Sequence, residues 1–196
     1  MTPEPILDEW FGHLDADGLP PGAKVARWWA KSTDFDDYLR VHYGPFVKQA
    51  QAGQLREWDE TPRGTLARVL LLDQFARNIF RNTPRMYDGD ELALDATLGL
   101  LAGALTTLPA VYQYFALMPL MHAEDLALQD RGVAEFAALV ARTPEPAKQA
   151  VAPAVKFAQD HRDVIARFSR FPHRNAVLGR TSTPDESAYL LENPGW

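Results

Sequence analysis

The sequence has no cysteine. This excludes a disulfide scaffold, a thiolate nucleophile and any zinc or iron–sulfur site built on sulfur ligands, and it fits a reducing compartment. Also missing are a period-2 strand pattern, a glycine-rich phosphate loop, a Gly-x-Ser-x-Gly elbow and a repeat of fixed spacing. The opening residues are acidic and lack both a basic n-region and an apolar h-region, so they do not read as a signal peptide, and the expected location is the cytoplasm. From Ala96 to Ala123 no formally charged residue occurs. That run is long enough for a membrane span, but Thr106-Thr107-Leu108-Pro109 cuts it with a capping and breaking signature and Pro119 interrupts it again, so a buried helical hairpin is expected. With a net charge of −6 and a pI near 5.3, the chain lacks the basic face that nucleic acid or an anionic membrane would require.

What is present is apolar and helical. At 196 residues and 46% hydrophobic composition, the chain can bury a sizeable core, and one domain over 1–196 is expected. Ile6, Leu7, Trp10 and Phe11 recur at helical spacing and stop at Gly12. The Trp28-Trp29 pair reads as core anchors. Thr33 is placed as the cap of a helix ending at Gly44-Pro45, with a further piece over 46–51. Thr61-Pro62 starts a helix covering 66–81, Thr143-Pro144-Glu145 starts another, and Thr183-Pro184-Asp185-Glu186 forms a capping box before a final helix over 185–191.

Three groups of polar residues stand out against this background. On the 66–81 helix, Asp73, Gln74, Arg77, Asn78 and Arg81 share a wedge of about 140° at 100° per residue, with apolar residues filling the opposite arc. Leu70 intrudes on the wedge and Arg68 lies on the apolar arc. A solvated face is usually Lys and Glu, whereas this set has directional hydrogen-bonding geometry and suits a buried polar network. Next, His122, Asp125 and Gln129 share one stripe if the second hairpin helix continues to Arg131. A carboxylate one turn from an imidazole can orient the ring, and Glu124 points the other way. Last, residues 161–180 hold five arginines and one aspartate, a formal +4 in an otherwise acidic chain. In that stretch Arg167, Arg170, His173, Arg174, Asn175 and Arg180 suit the gripping of carboxylates or phosphates. His122, His161 and His173 are available imidazoles, but no ligand spacing supports a metal site, and no cofactor motif occurs.

Taken in order, three segments carry a family resemblance: Leu72-Asp73-Gln74-Phe75 with Arg77, Asn78, Phe80 and Arg81; His122, Glu124, Asp125, Leu126 and Gln129; and Arg167 through Glu186. Together with Ile6-Leu7, Trp10, Phe11 and Gly12, they resemble the bacterial family catalogued as domain of unknown function nine-two-four. The resemblance implies an all-α fold in which antiparallel helix pairs stack in a tetratricopeptide-like right-handed superhelix. It implies little about function. Three readings stay open. In the first, the polar residues converge on a small anionic ligand or an acidic peptide, which makes the protein a binding module. In the second it is an enzyme in which His122, set by Asp125, or His173 moves a proton while arginines hold a carboxylate or phosphoryl group. In the third the residues form a satisfied polar core without a ligand.

Overall fold

The computed structural model describes residues 2–193, and every regular element among them is helical. Besides four short 3-10 turns, these are in chain order α1 (Glu4–Phe11), α2 (Gly22–Trp28), α3 (Thr33–Gln51), α4 (Pro62–Val69), a π-helical segment (Leu70–Phe75), α5 (Ala76–Ile79), α6 (Asp90–Leu101), α7 (Ala110–His122), α8 (Leu126–Arg142), α9 (Ala147–Val151), α10 (Pro153–Phe168) and α11 (Pro184–Glu192). The main interfaces run α4 to α6, α6 to α7, α7 to α8 and α8 to α10, so the long helices pack chiefly on their successors. Helix α7 is the centre: residues Val111 to Met121 are all buried. Trp10, Phe11 and Trp28 meet its Phe115 at ring-centroid distances of 5.7, 5.3 and 4.6 Å, which ties the N-terminal segment to the core.

The apolar stretch without charge folds as the expected hairpin, α6 and α7, broken between Leu101 and Ala110 and pinned by Thr97 Oγ1 donating to Ala116 O at 2.8 Å. No described helix is long and apolar enough to cross a membrane. Gly12 ends α1 at φ +68°, and Thr183 and Glu186 form the capping box of α11, both as the sequence predicts.

Several expectations need correction. Ser32, not Thr33, caps α3, and the helix runs through Gly44-Pro45 to Gln51. Pro45 removes the bond to the carbonyl of Val41, on a stretch of the helix where Val41 is 73% exposed. Pro119 likewise lies inside α7, where burial on every side outweighs one lost backbone bond. The helix predicted from Thr143 begins at Ala147, and Pro153 opens α10 separately, taking the first-turn position where an amide N–H would be unpaired anyway. Trp28 is half-buried and donates to Trp10 O at 2.9 Å, but Trp29 is 57% exposed and anchors no core.

The decisive difference lies in the 66–81 helix. It starts from Thr61, whose hydroxyl accepts from Gly64 N at 3.1 Å, and it becomes π-helical over Leu70–Phe75 before α5 resumes. A π turn opens the spacing between residues, so the 100° projection drifts through the polar wedge. Leu70, placed in that wedge, is fully buried. Asp73 and Gln74 are turned inward at 1% and 8% exposure.

Candidate functional site

The π segment delivers Asp73 into the packing between α4, α6 and α7, where its carboxylate becomes a hub. His122 Nδ1 lies 2.6 Å and Arg77 Nη1 2.8 Å from Asp73 Oδ1, while the Gln74 amide donates to Oδ2. Arg77 also clamps Asp90, at the start of α6, through two bonds of 2.8 and 3.0 Å. Burial opposes ionisation of Asp73, yet Arg77, His122 and Gln74 outweigh it and hold the carboxyl below the usual range. Arg77 is affected in the opposite sense. Burial disfavours its charge, but Asp73 and Asp90 push its pKa up.

Outside this hub lies a cavity of about 660 Å³ lined by Arg77, Met86, Tyr87, His122, Phe157, Asp160, His161, His173, Arg174 and Asn193. A second, of about 350 Å³, shares Tyr87, His122 and Arg174 with it and reaches Asp73, Asp90 and Glu124. Arg174, on the short turn Pro172–Arg174 beyond α10, is therefore part of the wall of both. Its guanidinium lies 4.8 Å from the ring centroid of Tyr87 and 4.5 Å from that of Phe171, and donates to His122 O at 2.9 Å. Asp90 Oδ2 is 3.5 Å away, and Arg174 Nε has no hydrogen-bond partner among the described residues. Burial, reinforced by Arg77, lowers the Arg174 pKa.

The imidazoles of His122 and His161 are 6.1 Å apart between ring centroids, and Phe171 stands between His161 and His173 at 5.6 and 5.5 Å. Burial, with the neighbouring His122, takes His161 from its ordinary 6.5 down to about 3, and burial with Arg174 beside it takes His173 down to about 4. Both rings are thus neutral near pH 7, and the one N–H of His161 is donated from Nδ1 to Phe157 O at 2.8 Å, which leaves its Nε2 as an acceptor. Among the described residues, no group of three or more His, Asp or Glu side chains could hold a metal ion.

These shifts fix how stability responds to acid. Below about pH 6.5 the unfolded chain protonates these two histidines, while the native rings wait until about pH 4 and 3. The unfolded state then binds more protons, so stability falls as pH drops through that window. Below about pH 4 the depressed carboxyls of Asp73 and Glu186 act in the same direction, because the unfolded chain protonates them first. We expect the unfolding free energy from urea titrations to fall from pH 6.5 to 4 with a slope of at most about 1.4 kcal/mol per pH unit per imidazole, less where water reaches the ring. His161→Gln and His173→Gln should each flatten that slope. Unchanged slopes in both variants would show that the rings titrate normally.

Other residues predicted for the site lie elsewhere. Asp125 does not touch His122: α7 stops at His122, and Asp125 caps α8 by accepting from Leu128 N at 2.9 Å. The carboxylate on the imidazole is Asp73. Asp125 lines only the smaller cavity. Gln129 binds the carbonyls of Met121 and Ala123 at 2.6 and 2.7 Å and holds the turn between the two helices. Arg81 is bidentate to Asp36 at 2.7 and 2.9 Å and also bonds Asn78, which tethers α5 to α3 away from the cavity. The basic island is mostly neutralised. Arg162 pairs with Asp130, Arg167 with exposed Asp185, Arg170 with Glu186 and Arg180 with Glu124, while Asn175 bonds Ser182 and Glu186. Of its arginines, Arg174 alone lines the large cavity. Glu124, predicted to point away, accepts from Arg180 at 2.6 and 2.9 Å and from Phe171 N at 2.8 Å. Tyr87 and Phe157, which line the cavity, carry no signal in the sequence beyond being aromatic. Asp90 is visible only as an acidic helix start.

Comparison with known proteins agrees with the helical architecture. The profile of a family described as bacterial protein of unknown function (DUF924) matches residues 6–195. A solved structure of a protein of unknown function from Agrobacterium tumefaciens is similar at 32% identity, with a TM-score of 0.81 and 97% of each chain covered. No functionally curated protein matches the chain.

Proposed function

The chain belongs to the bacterial family of unknown function DUF924, and since membership carries no activity, we propose from the cavity itself that it is a binding module for a small anion. The ligand is a carboxylate or phosphate, free or at the end of an acidic peptide, held between Arg77, Arg174 and the imidazoles. The observation that supports this most is Arg174. The residue is 7% exposed, its nearest carboxylate is 3.5 Å away, and its Nε has no hydrogen-bond partner among the described residues. A buried charge so weakly compensated is stabilised by an incoming anion, at a wall that the neutral rings of His161 and His173 leave without further charge. A cytoplasmic location belongs to this reading. So does a tetratricopeptide-like right-handed stack, which the packing of each long helix on the next supports.

An enzymatic reading has one observation of its own, the 2.6 Å pair of buried Asp73 with His122. A carboxylate on Nδ1 orients the ring and fixes its tautomer with Nε2 as the acceptor, the arrangement of a general base acting on a bound anion.

Thermal unfolding with phosphates, nucleotides, carboxylates and acidic peptides tests the primary reading. A ligand at about 100 times its dissociation constant adds roughly 2.7 kcal/mol, on the order of 5–10 °C here, and Arg174→Met should abolish the shift. If no anion shifts the wild type, the module reading fails. For a ligand that does bind, loss of turnover in His122→Gln with affinity intact would favour the enzyme.

A further inference from the structure

Beside the polar cavity lies a third, of about 490 Å³, with almost entirely apolar walls that include Val25, Trp28, Trp29, Tyr114 and Pro153. Phe157 lines both this cavity and the large polar one. The connection runs along α10. Pro153, Phe157 and His161 stand at i, i+4 and i+8 on one helical face, spanning roughly 12 Å at 1.5 Å per residue. One end of that stripe belongs to the apolar cavity and the other to the wall carrying Arg174 and His173.

Two of the chain's exposed large hydrophobics gather here. Trp29 is 57% and Phe157 48% exposed. Trp29 is held without burying itself: its ring stacks on Phe115 at 6.3 Å and approaches Tyr114 at 6.3 Å. Exposed aromatics converging on a preformed apolar hollow mark a place where apolar surface is to be covered. What covers it is constrained by its continuity, through Phe157, with a wall that carries buried guanidinium.

We propose that the ligand is a single-chain anionic amphiphile, with its acidic head against Arg174 and Arg77 and its hydrocarbon chain laid over Phe157 into the cavity under Trp29. This rests on the anion-binding reading and specifies it. The head group alone leaves the apolar cavity uncovered, and an apolar ligand alone leaves Arg174 with only Asp90, at 3.5 Å and already clamped by Arg77. A chain that meets both gains apolar contact for each methylene that passes Phe157, so affinity rises with chain length until the cavity is filled.

The test is calorimetric titration of n-alkyl carboxylates and n-alkyl phosphates, from ethyl to decyl and below their aggregation limits, with Trp29 fluorescence as a second readout. Affinity should rise about fourfold per methylene over the middle of the series. Trp29→Ala removes an exposed side chain that lines the apolar cavity and not the polar one, and it should flatten this increase while ethyl phosphate or propionate binds as in wild type; Phe157→Ser, at the junction of the two cavities, should flatten it too. Arg174→Met should weaken every member alike. Short anions binding with no gain along the series would overturn the amphiphile and leave the anion site standing; no binding by any member would remove both. Uncharged n-alkanols binding as tightly as the anions would also overturn it, since head and tail would then be uncoupled. Sedimentation of the protein with anionic phospholipid vesicles, lost in Trp29→Ala, would reassign the aromatic patch to a membrane surface.

Discussion

Asp73→Ala is expected to lower the free energy of unfolding by about 3–5 kcal/mol, the effect of leaving a buried ion network one charge short. For a chain of this size that is on the order of 6–20 °C in melting temperature. Asp73 is 1% exposed and is the shared acceptor of His122, Arg77 and Gln74. Without it Arg77 keeps Asp90, but His122 Nδ1 loses its acceptor and the Gln74 amide keeps only the weak Met118 sulfur at 3.5 Å. Asp73→Asn keeps volume and one acceptor oxygen and should lose less. Urea unfolding at pH 7 measures both. A loss below about 1 kcal/mol in the alanine variant would mean that the carboxylate organises nothing. The sign with pH follows: Asp73 is held ionised below the usual carboxyl range, so the difference between wild type and variant should be full above about pH 4 and shrink as the pH falls further.

The second large effect is expected at the other end of the same helical rod. Arg68 is 1% exposed and held by Asp59 through bonds of 2.9 and 2.6 Å. Asp59→Ala leaves a guanidinium buried without its counter-charge, and we expect a loss of about 3–5 kcal/mol. The informative partner is the double variant Asp59→Ala with Arg68→Met. Methionine follows the aliphatic path of the arginine without the charge, and most of the loss should be recovered. If the double variant is as unstable as Asp59→Ala alone, the defect lies in the turn Arg56–Glu60 and not in the stranded charge.

What could be read from the sequence divides along physical lines. Local rules carried in part: the cap of α3 fell one residue early, on Ser32, and the start expected at Thr143 came at Ala147. The Gly12 stop, the Thr61 cap, the break at Thr106 to Pro109 and the Thr183–Glu186 box depend on a few adjacent residues, and each is found. Long-range polar pairing did not. Asp125 looked like the partner of His122 because helical spacing joined them, yet the chain turns between them and the acceptor comes from Asp73, 49 residues away. The wedge from Asp73 to Arg81 was seen as a set, but the π turn splits it: Asp73 and Arg77 go to the cavity side and Arg81 goes to Asp36 on α3. Net charge misled in a similar way. The +4 island marked a region rich in guanidinium, but nothing in its composition told which arginines meet carboxylates from α8 and α11 and which one stays at the cavity wall. That sorting belongs to tertiary structure alone.

The clasp that closes the C-terminal segment sets the order in which this site comes into being. Arg174 reaches the carbonyl of His122 across 52 residues, and Arg180 reaches Glu124 across 56. On a ribosome, α1 to α7 and the Asp73 hub can assemble while the chain is still growing, but the wall that carries Arg174 is then unmade. Closing loops of that length is slow compared with forming the helices themselves. If the proposed anion site is right, capture waits for the segment that carries Arg174, and a variant truncated before Arg174 is expected to bury a core yet bind no anion.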